Sequence, residues 1–383
     1  MKSATIAVVG AGPVGLAAAV LLADADYHVA LIAPAAPSPD RRTSALMAGS
    51  VALLERLGVW PGLTADAAPL RTMRIIDGTT RLIRAPEVAF EASEIGLPAF
   101  GYNTANAALV AALERAVAER GVARIDAMAE GAAFEDAGVT ITTSAGNPVA
   151  ARLAIAADGR KSKLREAAGI ATQDWSYPQA ALVCNLAHSL PHRDTSTEFH
   201  TEHGPFTLVP LAGNRSSLVW VDTPAESARR LALPDEAIAA EIETRSASIL
   251  GAVTVEGRRQ VFPLSGMSVT NFAAKRVMLV GEAAHLFPPI GAQGLNLGYR
   301  DVAALGEVLA GPVSDPGATA HLEAYDRARR VDVLTRTAAV DAMNRTLLSD
   351  FLPVAALRGL GLFLIDRVPP LRRFAMRQGV AVP

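Results

Sequence analysis

Short apolar runs and glycine-rich turns alternate along this chain, and the period of the apolar positions decides which elements they form. Residues 5–9 are a compact apolar run, followed by a glycine-rich turn at 10–15, an alanine- and leucine-rich stretch at 16–25 and a second apolar run at 28–32. Runs that are apolar on both faces belong to buried parallel strands, so this succession predicts a βαβ unit. Residues 107–120 carry apolar positions at helical spacing, and residues 153–157 read as a further buried strand ending at Asp158 and Gly159. Residues 173–264 follow a different period. Segments 206–211 and 217–221 alternate as antiparallel strands do, and 235–248 reads as a helix. Asp77-Gly78 lies between two apolar runs and predicts a hairpin over 73–85 that joins the same sheet.

The predicted fold class is therefore α/β. A Rossmann-like layer takes residues 1–70, 100–172 and 265–345, an inserted, mainly antiparallel sheet takes 71–99 and 173–264, and 346–383 form a helical tail. With 383 residues the chain is long enough for two packed cores, and 50% hydrophobic against 19% charged residues describes a globular protein. A net charge of -2 gives no basis for binding nucleic acid. The charge is uneven, however. Residues 351–383 hold five arginines (Arg358, Arg367, Arg372, Arg373 and Arg377) and Asp366, a net charge of +4 that leaves -6 for the rest. Cys184 stands alone, which excludes an intrachain disulfide and a cysteine-rich metal site and points to a reducing, cytoplasmic compartment. The uncharged run at 6–23 is broken by Gly10, Gly12, Pro13 and Gly15, so the chain is expected to begin at its own fold rather than with a targeting helix.

Two glycine-rich strips carry the chemistry. GAGPVG at 10–15 matches G-x-G-x-x-G between a strand and a helix, where Gly10, Gly12 and Gly15 let the backbone approach a pyrophosphate and Pro13 opens the helix. The acidic residue that holds an NAD ribose at the end of the second strand is absent, since Ala33 stands there. The second strip, VGEAAHLFPPIGAQGLNLGYRD at 280–301, places a carboxylate at a strand end and then bare amides at a helix start near Leu295, an arrangement suited to an anionic group. Arg42 is suited to pyrophosphate or flavin, or to a solvated charge pair. Asp158 and Glu282 suit a cofactor or a helix cap, and a lone His285 suits a structural role.

In this order and spacing, the loop at 10–15, Arg42, Asp158-Gly159, and Gly281-Glu282 leading into 288–301 resemble the class A flavoprotein monooxygenases. DRRTSALMAGSVALLERLGVW at 40–60, HGPFTLVPL at 203–211 and HLFPPIGAQGLNLGYRD at 285–301 are similar to the UbiH/UbiF-type hydroxylases of ubiquinone biosynthesis, over nearly the whole length. The pattern departs from the family at Glu282, where aspartate is usual, and at Ala33. The resemblance implies FAD held by Gly10, Gly12, Pro13, Gly15, Arg42, Asp158, Gly281 and Glu282. It also implies that the flavin ring lies against Pro289 and the loop of Gly291, Ala292, Gln293, Gly294, Leu295 and Asn296. It further implies NAD(P)H as reductant and O2 as co-substrate, with hydroxylation of a prenylated phenol through a flavin C4a-hydroperoxide.

Phe206, Leu208 and Pro210 of the inserted sheet are expected to roof the substrate pocket, against the ordinary alternative of core alternation. No catalytic base and no metal ligand is identifiable. The arginine-bearing tail is expected to lie on the inner membrane face, meet a partner or pack on its own protein. A flavin hydroxylase of a soluble aromatic, an NAD-dependent dehydrogenase and a non-catalytic flavoprotein subunit are the competing readings.

Overall fold

The computed structural model describes residues 2–35, 40, 42–79, 84, 86–288, 293–311, 313–348 and 367–380. Pro289, Gly291 and Ala292 of the expected flavin loop, and residues 351–366 of the tail, fall outside that set.

A six-stranded sheet forms the centre, in the order Ala273–Ala274, Val277–Leu279, Leu153–Ala156, Ile6–Val9, Val29–Ala33 and Ala123–Asp126. Its last five strands run parallel. Ile6–Val9, Leu153–Ala156 and Val277–Leu279 are buried at every position, which explains why their sequences show no polar alternation. Helix Pro13–Asp24 packs against Asn106–Glu119 and Gln293–Val308, so both glycine-rich strips open onto one side of the layer. A four-stranded sheet of Lys2–Ser3, Val149–Ala151, Gly138–Thr143 and Ala129–Glu135 accompanies this layer and was not foreseen from the sequence pattern.

The second large sheet has eight strands in the order His285–Leu286, Val253–Val269, Thr172–His188, Arg215–Asp222, Gly204–Leu211, Thr195–Thr201, Thr72–Asp77 and Val88–Glu91. Thr195–Thr201 pairs in parallel with Thr72–Asp77, so this otherwise antiparallel sheet contains one parallel pair. The hairpin is present, but its returning strand begins at Val88, beyond the expected end at 85. One sheet face buries Leu182, Cys184, Phe206, Leu208, Leu218 and Trp220 in a core shared with Ile238 and Ile242 of helix Asp235–Arg245. The opposite face turns toward the six-stranded layer. Phe262 there meets Arg42, whose guanidinium carbon lies 5.9 Å from the ring centre. Asn103 of strand Gly101–Ala105 donates to Ser217 Oγ at 3.2 Å and to the Pro210 carbonyl at 2.9 Å.

The tail ends in helix Pro369–Val380, which packs on the protein through Met376 and Val380, in a cluster with Met47, Ala92 and Phe100. Arg372 ties it down: the guanidinium pairs with Glu94 at 2.6 Å and lies 4.6 Å from the centre of the Phe90 ring.

Candidate cofactor and substrate site

The loop at 10–15 is built for close approach. Gly10 adopts φ +109°, and a Cβ there would lie 2.2 Å from the Ala157 carbonyl oxygen; a Cβ on Gly15 would lie 2.1 Å from the Gly10 carbonyl oxygen. Those two glycines are needed by the fold itself. Gly12 differs, because a Cβ there would meet nothing within 4 Å. It is the N-cap of helix Pro13–Asp24, no side chain caps the first-turn amides, and Pro13 has no N–H to lose. The loop thus presents open space in front of a bare helix N-terminus, the fit a pyrophosphate requires.

Three charged groups border this space. Arg42 pairs with Asp40 at 2.8 Å. Burial opposes charge on Asp40, yet hydrogen bonds from Arg42 and Asn106 hold its carboxyl down at about 2. Arg42 is held above its ordinary value first by the hydrogen bond to Asp40, with the charge of Glu282 adding to it, so the structure brings Arg42 and Glu282 into one neighbourhood. The charge-pair reading of Arg42 therefore holds, with Asp40 as the partner. Glu282 itself is exposed within a short turn, Gly281–Ala283, whose N-cap is Val280; it does not cap a helix.

Asp158 divides its carboxylate. Oδ2 accepts the Lys163 N–H at 2.8 Å and so caps helix Lys163–Ala168 together with Ser162, as the local sequence predicted. Oδ1 is buried and has no partner among the described residues. An orphaned buried oxygen beside the Gly10 backbone is a position that a hydroxyl of a bound cofactor would satisfy.

Gly281 and His285 meet a residue the sequence reading passed over. Asp301 accepts the Gly281 N–H at 2.8 Å and faces His285 Nε2 at 2.7 Å through one oxygen, while its other oxygen accepts from Arg329 Nε at 2.7 Å. His285 is 1% exposed and Asp301 0%, so His285 is structural, as a lone histidine suggested. Only the fold reveals this network, since Arg329 joins from the distant helix Thr319–Leu348.

Gly294 and Leu295 lie in the first turn of helix Gln293–Val308, with Gly294 exposed and open to a Cβ. The Asn296 side chain is engaged elsewhere. Its Oδ1 accepts from the Met47 N–H and Ser50 Oγ at 2.8 and 2.7 Å, and its Nδ2 donates to the Ala45 carbonyl at 2.8 Å. Asn296 thereby fixes strand Thr43–Met47 against the glycine-rich helix.

The substrate-facing residues need a correction. Phe206 and Leu208 are 0% and 2% exposed and point into the core beneath helix Asp235–Arg245; Phe206 packs edge-on against Trp220 at 5.0 Å. Pro210 reaches the layer junction through its carbonyl alone. The strand was read correctly but its parity was not, and one residue of offset exchanges the two faces. Across from Arg42 lies Phe262, and across from Asn103 lies Ser217, whose register partner is Val209.

The FAD binding domain family model matches residues 3–339. The ubiquinone hydroxylase UbiL of Rhodospirillum rubrum is 36% identical over 99% of this chain and 90% of its own length. The 3-demethoxyubiquinol 3-hydroxylase of Escherichia coli is 32% identical over 98% of each. Among solved structures, the p-nitrophenol 4-monooxygenase PnpA from Pseudomonas putida superposes with a TM-score of 0.81 over 99% of both chains at 20% identity, a likeness of fold. The probable FAD-dependent monooxygenase pqsL of Pseudomonas aeruginosa gives 0.79 over 94% of this chain and 100% of that one at 19% identity. With the cofactor loops and the facing sheet in place, the chain belongs to the FAD-binding-domain family and, within it, to the UbiH/UbiF-type class A FAD-dependent monooxygenases.

Proposed function

We propose that this enzyme hydroxylates the aromatic ring of a prenylated phenol on the route to ubiquinone, using NAD(P)H and O2. One observation carries the reading: the cradle at Gly12 is open, and Arg42, which feels the charge of Glu282, meets Phe262 of the facing sheet. The names of the relatives at 36% and 32% identity supply the substrate class. Bound FAD would supply electron transfer and oxygen activation. The chain's own part is positional. The amides at the start of helix Pro13–Asp24 bind the anionic pyrophosphate, with Arg42 beside them. Those opening Gln293–Val308 would favour negative charge on the flavin ring. The sheet face with Phe262, Val209 and Val219 would hold the phenol and keep water from the reacting atoms. Mass spectrometry of quinone precursors in a strain lacking this gene tests the assignment. A hydroxylated precursor is expected to disappear and its deoxy form to accumulate; an unchanged profile removes the ubiquinone assignment.

The tail supports a second reading, peripheral contact with the inner membrane face. Leu371 and Phe374 are 42% and 62% exposed on helix Pro369–Val380, beside exposed Arg373 and Arg377, while Met376 and Val380 anchor the other side. Apolar side chains flanked by arginines suit an anionic lipid surface, where a prenylated substrate resides. No helix among the described residues is long and apolar enough to cross a membrane.

A further inference from the structure

The substrate sheet carries a hydrogen-bonded acid and base on the face that meets the cofactor layer. Strand Thr195–Thr201 puts Glu198 and His200 two residues apart, hence on one face, and their side chains join at 2.9 Å from His200 Nε2 to Glu198 Oε1. Thr207 of the neighbouring strand donates to Glu198 Oε2 at 3.3 Å. The face follows from register. Phe199 and Phe206 pair and point into the helix-covered core, so Glu198 and its partner Thr207 point the other way.

Val183, Val219, Thr207 and Glu198 then form one row across four strands. The adjacent row contains Val209 and Ser217, and Ser217 is bonded to Asn103 of the cofactor layer. Glu198 stands one row along and two strands across from Ser217, about 12 Å from that contact. The pair is partly accessible, with side chains 21% and 11% exposed, whereas His285 and Asp301 are sealed.

We propose that Glu198, held by His200, receives the hydroxyl proton of the phenol. The inference rests on the aromatic-hydroxylation reading, which requires an electron-rich ring. The substrate O–H bond breaks and its proton passes to the Glu198 carboxylate, whose Oε1 stays hydrogen-bonded to His200 Nε2. The O–H electron pair stays on the phenol oxygen and raises electron density at the ring carbons ortho and para to it. Glu198 is neutral once it holds the proton and so does not repel the phenoxide; Glu198 is the catalytic residue and His200, bonded to its Oε1, the positioning partner. The proton returns when the hydroxylated product regains its phenol. The groups facing the pair are Thr207 and Pro205 on strand Gly204–Leu211, and Ile75 and Asp77, the register partners of Glu198 and His200 on strand Thr72–Asp77; Asp77 is the titratable one.

The experiment compares wild type, Glu198→Gln and His200→Asn as purified holoenzymes on two probes, a phenol bearing one isoprenyl group and its more acidic ring-fluorinated analogue. Flavin absorbance checks cofactor occupancy, which should match wild type in both variants. With the first phenol, kcat/KM should fall about 100-fold in Glu198→Gln, the magnitude of a lost general base. The fluorinated phenol, already ionised, should restore at least about ten of the hundredfold, which a packing defect would not. Equal losses on both phenols, or wild-type rates in both variants, overturn the role of the pair. Absence of turnover by wild type on either phenol overturns the hydroxylation reading on which the pair depends.

Discussion

Asp301 holds the backbone N–H of Gly281 at 2.8 Å across twenty residues of sequence, and this bond sets the position of the carboxylate that follows at Glu282. The same Asp301 faces His285 and Arg329, all three sealed from solvent. Burial opposes its charge, but the His285 and Arg329 charges, with hydrogen bonds from His285 and Gly281, outweigh it and keep the carboxyl below its usual range. A group with a depressed folded value stabilises the fold above its unfolded value, about 4, and loses that contribution as the pH falls through the folded one. Asp301→Asn should therefore cost about 3 kcal/mol at neutral pH, because it takes from buried Arg329 one of its two carboxylate partners and leaves Asp332. It should also flatten the acid limb of stability below about pH 4. Urea denaturation at a series of pH values measures both. A variant with the wild-type midpoint would show that the network carries no stability.

The glycines of the first loop separate fold from ligand. Gly10→Ala and Gly15→Ala force a Cβ into backbone at 2.2 and 2.1 Å and should lower the melting temperature or prevent folding. Gly12→Val meets open space in the protein, so the apoprotein should unfold within about 1 kcal/mol of wild type while FAD is lost on desalting. Retained flavin colour in Gly12→Val would place the pyrophosphate elsewhere.

The two faces of strand Gly204–Leu211 predict opposite behaviour. Phe206→Ala empties a site that is 0% exposed and packed on Phe199 and Trp220, and should cost about 3–5 kcal/mol. Val209→Trp adds bulk on the facing side and should raise KM for a prenylated phenol with stability changed by less than about 1 kcal/mol. Chemical denaturation and steady-state kinetics on the two proteins check the assignment; the reverse pattern would return Phe206 to the pocket.

What the sequence could reveal follows from how local each signal is. The loop at 10–15, its flanking strand and helix, and the Asp158 cap are encoded within about ten residues, and all were legible. Phe206 and Leu208 were assigned to the wrong face because alternation gives a period and no origin; the origin lies in helix Asp235–Arg245, which covers one side. The tie from Asn296 to Met47 and Ser50 was not legible because those partners are 249 and 246 residues away. The Glu198–His200 pair offers the sequence only two polar residues in an alternating strand, and it acquires meaning when Thr207 and the cofactor layer come to face it.

The tail helix presents a final contrast between two of its own faces. Arg372, Met376 and Val380 recur every four residues and anchor it through Glu94 and the cluster at Met47 and Phe100. Leu371 and Phe374, 42% and 62% exposed, lie outside that anchoring cluster. Replacing both with glutamate should leave the melting temperature within about 2 °C of wild type, because surface changes away from packed contacts move stability little. The same replacement removes apolar insertion and adds two charges that an anionic surface repels, so cosedimentation with phosphatidylglycerol-containing vesicles should fall at least about tenfold. Met376→Asp should do the reverse at the level of stability, since a carboxylate would replace a side chain that is 7% exposed. If wild type and the double glutamate variant sediment equally with vesicles, the exposed face has no role at a membrane.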